Sequence, residues 1–164
     1  MPSGSIYQEL KDIIFELSKE HGTVDFEPHV TIVGGLVGDE TKLIKKTQEL
    51  GKIVPFKVSL GKLQQSDEYF KSIFLECKRS KELMGLNQKT RVLFNKLADP
   101  EFKPHLSLLY SELKSEAREK IVDSLKSRFR SSISFGVSNI RFMLTAQHPA
   151  IELKKFEFDK DKGE

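Results

Sequence analysis

A chain of 164 residues with a net charge of +3 is long enough to bury roughly two-thirds of its unfolded surface in one core, without a metal or disulfide staple. Acidic and basic side chains are interspersed, which excludes the dense cationic face of a protein that wraps duplex nucleic acid and suits a small anionic substrate better. The longest apolar runs, such as Ile13 to Phe15 and Leu106 to Tyr110, fall far short of the ~20 residues of a membrane span, so a soluble, monomeric protein with no membrane partner is expected.

Leu10, Ile13, Ile14 and Leu17 recur at helical spacing and predict a helix from about Ser5 to Lys19, stopped by Gly22. A strand is expected from near Phe26. Asp39 opens a second helix, with Leu43, Ile44 and Leu50 on one side and Gly51 past its end. Two β-rich runs follow, Val54 to Leu63 and Tyr69 to Cys77, separated by a polar turn at Gln64-Gln65-Ser66-Asp67. The same order then returns: a helix from about Ser80 to Leu97, a strand at Pro104 to Tyr110 and a helix from Ser115 to Phe129. Strands at Ser132 to Leu144 and Ile151 to Phe158 close the chain, divided by a turn from Thr145 to Ala150 that contains Pro149.

Each half therefore reads helix, histidine-bearing strand, helix, strand, strand. That order predicts one duplicated α+β domain over residues 1–164, whose halves, about 5–78 and 80–158, form two pseudo-symmetric lobes. Each lobe is expected to be an antiparallel sheet with helices on the outside, the two enclosing a central cleft. Residues 159–164 read as a frayed, solvated end. Cys77 is the single cysteine, and the opening Met-Pro-Ser-Gly-Ser lacks the basic and apolar regions of a signal peptide, so a reducing cytoplasmic, or else nuclear, setting is expected.

The strands that open each half carry the chemistry. Pro28-His29-Val30-Thr31-Ile32-Val33 returns as Pro104-His105-Leu106-Ser107-Leu108-Leu109. Strand side chains alternate, so His29 and Thr31 share one face and Val30 and Ile32 the other, and His105 and Ser107 do likewise. Were the strands side by side, four polar groups would converge on one pocket. Imidazole titrates near ~6.5, so one of a pair can take a proton from water while the other, protonated, donates to a leaving oxygen. The hydroxyls of Thr31 and Ser107 can donate to phosphoryl oxygens, and the scheme needs no metal and no cofactor. A single histidine in an apolar strand is more often structural, and it is the repetition in register that favours catalysis.

At these residues the chain resembles the two-histidine phosphoesterases, whose hallmark is a pair of His-x-Thr/Ser motifs on paired strands. Phe26-Glu27-Pro28-His29-Val30-Thr31 and Lys103-Pro104-His105-Leu106-Ser107-Leu108-Leu109-Tyr110 resemble, more narrowly, the cyclic phosphodiesterases. The resemblance implies hydrolysis of a ribose cyclic phosphate, such as ADP-ribose 1″,2″-cyclic phosphate or a nucleoside 2′,3′-cyclic phosphate, to a monophosphate. It implies His29 and His105 as acid and base, Thr31 and Ser107 as phosphate-binding residues, and Tyr110 with Phe70 or Tyr69 as aromatics lining the substrate site. It also implies a strand ahead of the first helix, whereas this sequence opens in what resembles the segment just after it: either the strand is lost or Met1 is a late start. Two related activities belong to the same superfamily: RNA end processing, which would make a short RNA end the partner, and 2′,5′-ligation. A non-catalytic nucleotide-binding module is the reading of another class.

Simpler explanations compete at several positions. Tyr110 lies an odd number of residues from His105, so ideal alternation sends it to the core. Tyr69 and Phe70 are adjacent, so one is expected in the cleft and one in the core, with Phe70 preferred for the cleft. His21 is explained by a helix C-terminus, and His148, before Pro149, by a solvated turn. A zinc site from His29, His105 and Cys77 lacks any local chelate spacing. The Lys78-Arg79-Ser80-Lys81 cluster reads as a solvated helix start or, alternatively, as an attractor of phosphorylated substrate.

Overall fold

The computed structural model describes residues 1–51, 53–129, 132–145 and 150–159. Residues 146–149 of the expected turn, with His148 and Pro149, and residues 160–164 of the expected frayed end lie outside the described residues.

The first helix, α1 (Gly4–His21), buries Leu10, Ile13, Ile14 and Leu17 along one face. It ends where expected: Gly22 takes the left-handed conformation at φ 63°, which costs a glycine little, and its N–H and that of Thr23 both reach the Ser18 carbonyl. The Asp39 carboxylate accepts from the Lys42 N–H at 2.9 Å and starts α2 (Glu40–Gln48). The Ser80 hydroxyl does the same for α3 (Lys81–Leu93), accepting from the Leu83 N–H at 3.2 Å. That helix stops four residues before Leu97, because Asn95 turns left-handed at φ 57° and the Arg91 guanidinium gathers the carbonyls of Lys96, Leu97 and Asp99. The last helix is α4 (Ser115–Leu125), shorter than the run to Phe129 that its periodicity suggested.

A four-stranded antiparallel sheet runs in the order β3–β2–β1–β4, formed by β1 (Phe56–Gln65), β2 (Ile73–Cys77), β3 (His105–Leu109) and β4 (Ser134–Val137). A separate hairpin pairs β5 (Asn139–Leu144) with β6 (Ile151–Glu157). The single strand expected over Ser132 to Leu144 is thus two, divided at Ser138, whose carbonyl accepts the Phe158 N–H at 2.7 Å. Tyr69, Phe70 and Lys71 form a 3₁₀ turn rather than the start of β2. The Ser66 hydroxyl there donates to the Lys71 carbonyl at 2.7 Å and the Ser66 N–H reaches the Ser72 carbonyl, which closes the turn locally.

The fold is α+β as expected, but the large sheet draws on both sequence halves. β1 and β2, from residues before 78, pair with β3 and β4, from residues after 80: Phe74 faces Ser107, and Val58 faces Phe135. Sheet hydrogen bonding therefore exchanges strands between the halves instead of enclosing a sheet within each. β1 is the shared element, its first residues laddered to β4 and its last to β2. One sheet face, carrying Leu60, Leu75, Cys77 and Leu106, packs under α1 and α4 with Ile121 and Leu125. At roughly 1.5–3 kcal/mol for each fully buried aliphatic side chain, this face holds the sheet in place. The opposite face is left for the site.

Candidate active site

His29 lies in an extended segment, not a regular strand, and that segment meets β3 through an isolated antiparallel bridge between Val30 and Leu106. Both bridge residues pack into the core, Leu106 with no exposed surface. Antiparallel register carried one residue either way sets His29 across from Ser107 and Thr31 across from His105. The alternation that buries Val30, Ile32 and Leu106 turns the four polar side chains to the other face. The two motifs are thus related by a local twofold through the Val30–Leu106 pair, and the two imidazoles lie near enough for the charge of His105 to act on His29.

The local geometry of the two histidines is also repeated. His29 Nδ1 lies 2.6 Å from the Glu27 carbonyl oxygen, and His105 Nδ1 lies 2.9 Å from the Lys103 carbonyl oxygen. A carbonyl only accepts, so Nδ1 carries the proton in both rings and Nε2 is left to exchange protons. The intervening prolines, Pro28 and Pro104, are both buried and hold the chain in the extended form that brings the carbonyl of residue i−2 under the ring. Burial pushes both imidazoles below their ordinary 6.5. For His29 the charge of nearby His105 acts in the same direction, and for His105 the Lys71 ammonium does.

The hydroxyls are not equivalent. Thr31 is exposed, with no hydrogen bond among the described residues, so its proton is free for a ligand. Ser107 is buried, and its hydroxyl donates to the Phe70 carbonyl at 2.8 Å. A hydroxyl has one proton, so Ser107 cannot donate to a phosphate while it holds Phe70. The same turn is strapped a second time by the Ser111 N–H, which donates to the Tyr69 carbonyl at 3.2 Å.

Tyr110 departs from ideal alternation. Ile73 faces Leu109 while Phe74 faces Ser107, so Leu108 is an extra residue that shifts the phase of the strand. Tyr110 consequently turns to the side of His105. Its ring stacks on Phe26 at 3.8 Å between centroids and 9° between planes, and Phe26 stands edge-on to His29 at 6.1 Å. Burial pushes the Tyr110 hydroxyl up to about 12, so it stays protonated. Phe70 meets Tyr110 edge-on at 5.3 Å and Tyr69 meets Phe70 at 4.9 Å. The expectation that one of this adjacent pair enters the core is not met: Phe70 is 64% exposed and Tyr69 38%, because a 3₁₀ turn presents both at the rim.

Two aromatics beside the histidines were not among the sequence-derived site residues. Phe26 had a signal, since Phe26-x-Pro28-His29 matches Phe102-x-Pro104-His105 and makes the repeat longer than the proline-histidine core. Phe74, edge-on to His105 at 5.6 Å, had none, for its position depends on the pairing of β2 with β3. Cys77 points into the core, where burial pushes its thiol up to about 12. It joins neither histidine, and among the described residues no three His, Cys, Asp or Glu side chains gather as metal ligands. His21 closes α1, its Nε2 buried without a hydrogen-bond partner among the described residues. Among them, too, no helix is long and apolar enough to cross a membrane.

Matched histidine motifs across one bridge, on an antiparallel sheet backed by helices, define a two-histidine phosphoesterase. Solved structures share this architecture over nearly the whole chain. Escherichia coli LigT in its apo form covers 93% of this chain and 92% of its own with a TM-score of 0.60 at 14% identity. A Thermus thermophilus protein covers 94% of both at a TM-score of 0.63 and 15% identity. Residues 1–140 match the family described as cyclic phosphodiesterase-like protein, and the chain belongs to that family. Among curated relatives, a Saccharomyces cerevisiae 2′,3′-cyclic-nucleotide 3′-phosphodiesterase is 29% identical over 68% of this chain and 62% of its own length. An Arabidopsis thaliana cyclic phosphodiesterase is 26% identical over 73% of this chain and 66% of its own. The matches thus span just under two-thirds of each relative.

Proposed function

We propose that this protein hydrolyses a ribose cyclic phosphate to a monophosphate by metal-independent acid–base catalysis. The observation that carries the reading is the pair of histidines with both Nδ1 positions committed to backbone carbonyls and neither Nε2 hydrogen-bonded among the described residues, set on one face across a single bridge. Water attacks phosphorus as a neutral imidazole takes its proton. The P–O bond to one ribose oxygen breaks in line, and that oxygen takes a proton from the other imidazole, held as imidazolium. Burial disfavours the imidazolium in the free protein, and the negative phosphodiester entering between the rings favours it, so the substrate itself helps to charge the acid. Thr31 donates to a phosphoryl oxygen directly, and Ser107 contributes once its hydroxyl turns from Phe70.

The substrate is a nucleotide carrying a cyclic phosphate, either a nucleoside 2′,3′-cyclic phosphate or ADP-ribose 1″,2″-cyclic phosphate. The name of the yeast relative supports the first, and the solved complex of LigT with 3′-AMP supports nucleotide binding by this fold. The exposed Tyr69 and Phe70 rings offer a stacking face for a base. An assay panel of these cyclic phosphates and a 2′,5′-linked dinucleotide, run with a strong chelator present, tests the reading. Turnover of a cyclic phosphate is expected to survive the chelator and to fall about 10²- to 10⁴-fold in kcat in His29→Ala and in His105→Ala. Near-normal turnover in either variant would falsify the paired mechanism.

A further inference from the structure

Beyond His105, on the side away from His29, a cavity of about 340 Å³ opens between β2 and the segment leading into β3. Its lining includes Lys71, Arg79 and Lys103, with Glu76 as the lone acidic side chain and Phe74 and His105 as its aromatic surfaces. The lining itself thus carries three cations against one carboxylate, and it favours an anion to the extent that the partners of those cations outside the lining can be displaced. Its size is at the small end of ligand pockets, suited to part of a nucleotide rather than to a second whole one.

The carboxylates that meet these cations are positioned to yield. Lys71 Nζ pairs with Glu68 at 2.6 Å and Arg79 with Glu101 at 2.7 Å, and the two carboxylate side chains are 70% and 62% exposed. Pairs with such exposed partners hold with little net energy, so a phosphate that offers several acceptors at once can replace them. Lys103 has no ion pair among the described residues. Lys71 is the more buried member of its pair, 15% exposed, its ammonium lies 5.5 Å from the Phe74 ring centroid, and its charge acts on His105.

We propose that this cavity binds a second phosphoryl group of the substrate, on the far side of the ribose from the cyclic phosphate. It rests on the cyclic phosphodiesterase reading and deepens it. The preferred substrate is a nucleoside cyclic phosphate that also bears a 5′-phosphate, held by Lys71, Arg79 and Lys103 while the cyclic ester sits between the histidines. The same chemistry is presented by a free nucleotide with a terminal 5′-phosphate and by the last nucleotide of an RNA, whose 5′-phosphate is a diester.

The test compares a nucleoside 2′,3′-cyclic phosphate with its 5′-phosphorylated form, in the wild-type chain and in Arg79→Gln. The ratio of the two kcat/KM values is expected to be about tenfold or more in the wild type, the effect of a charge-assisted contact. Arg79→Gln is expected to bring it down to about a third or less of that. Each protein is normalised to its own rate on the 5′-hydroxyl substrate, so a general loss of folding or chemistry leaves the ratio untouched. A wild-type ratio near one, with both substrates turned over, overturns the subsite and leaves the cyclic phosphodiesterase reading standing.

Calorimetric binding of a nucleoside 3′,5′-bisphosphate against a nucleoside 3′-monophosphate decides the matter independently of turnover. Tighter binding of the bisphosphate that Arg79→Gln abolishes supports the subsite, and equal affinities overturn it. A dinucleotide ending in a cyclic phosphate separates the sources. If it shares the advantage and loses it in Arg79→Gln, the site accepts an RNA end; if only the monoester benefits, the site takes the free nucleotide.

Discussion

Ser107 and Thr31 occupy matching places in the repeat, and the structure predicts that replacing them by alanine has different consequences for stability. Ser107→Ala deletes a 2.8 Å hydrogen bond from a buried hydroxyl to the Phe70 carbonyl. A bond of this kind contributes about 0.5–1.5 kcal/mol net. Phe70 is exposed, so water can take over its carbonyl, which favours the lower half of that range. For a chain of this size each kcal/mol moves Tm by about 2–4 °C, so a fall of roughly 1–4 °C is expected. Thr31→Ala removes an exposed hydroxyl without a protein partner, and its stability should change by less than about 0.5 kcal/mol. Both variants should lose activity, by about ten- to a hundredfold in kcat/KM, if each hydroxyl reaches the phosphate in the transition state. Calorimetric melting beside steady-state kinetics on a cyclic phosphate separates the two effects. Equal melting temperatures for the two variants, or a wild-type Tm in Ser107→Ala, would show that the bond to Phe70 does not hold the turn as argued.

Three further outcomes follow from the geometry. Burial holds both imidazoles below 6.5, so the unfolded chain binds protons that the folded chain refuses; the stability these groups contribute is present above 6.5 and lost as pH falls through the folded values. Tm should therefore drop as pH is lowered from about 6.5, and His29→Gln should flatten that decline; a variant with an unchanged slope counts against the depressed pKa. Lys11 joins Asp25 at 2.9 Å and Glu27 at 3.1 Å, Tyr7 also donates to the Glu27 carboxylate, and the Glu27 carbonyl holds His29. Lys11→Ala should cost about 1 kcal/mol or less yet lower kcat more than it alters KM, and a change in KM alone would place Lys11 in substrate binding instead. Tyr110→Phe should keep nearly full activity, because it preserves the ring's stack on Phe26, whereas Tyr110→Ala should impair both folding and turnover; loss of turnover in the phenylalanine variant, measured beside its Tm, would assign the hydroxyl a direct role.

Local chemistry made much of this protein readable. Gly22, Asp39 and Ser80 mark helix ends because each supplies the conformation or the acceptor that a terminus needs, and the structure uses all three. The motif residues were legible because alternation alone divides His29 and Thr31 from Val30 and Ile32. What escaped was whatever depended on pairing. The extra residue at Leu108 reverses the side on which Tyr110 lies, and no periodicity announces such a bulge. Phe74 reaches His105 through a neighbouring strand, and the exchange of strands between halves is a fact of register that the repeated order of elements does not reveal.

The Val30–Leu106 bridge has one more consequence. Every named strand in this fold is held by a ladder of several residue pairs, but among the described residues the two histidine segments share one backbone bridge. The separation of the two imidazoles is therefore a tertiary quantity, set by side-chain packing and not by a run of hydrogen bonds between the motifs. A substitution that alters the packing of Val30 or Leu106 is therefore expected to change that separation. Under the proposed function, such an arrangement lets the gap between the rings change without the melting of any strand, as admitting a cyclic ester and releasing an opened one would require.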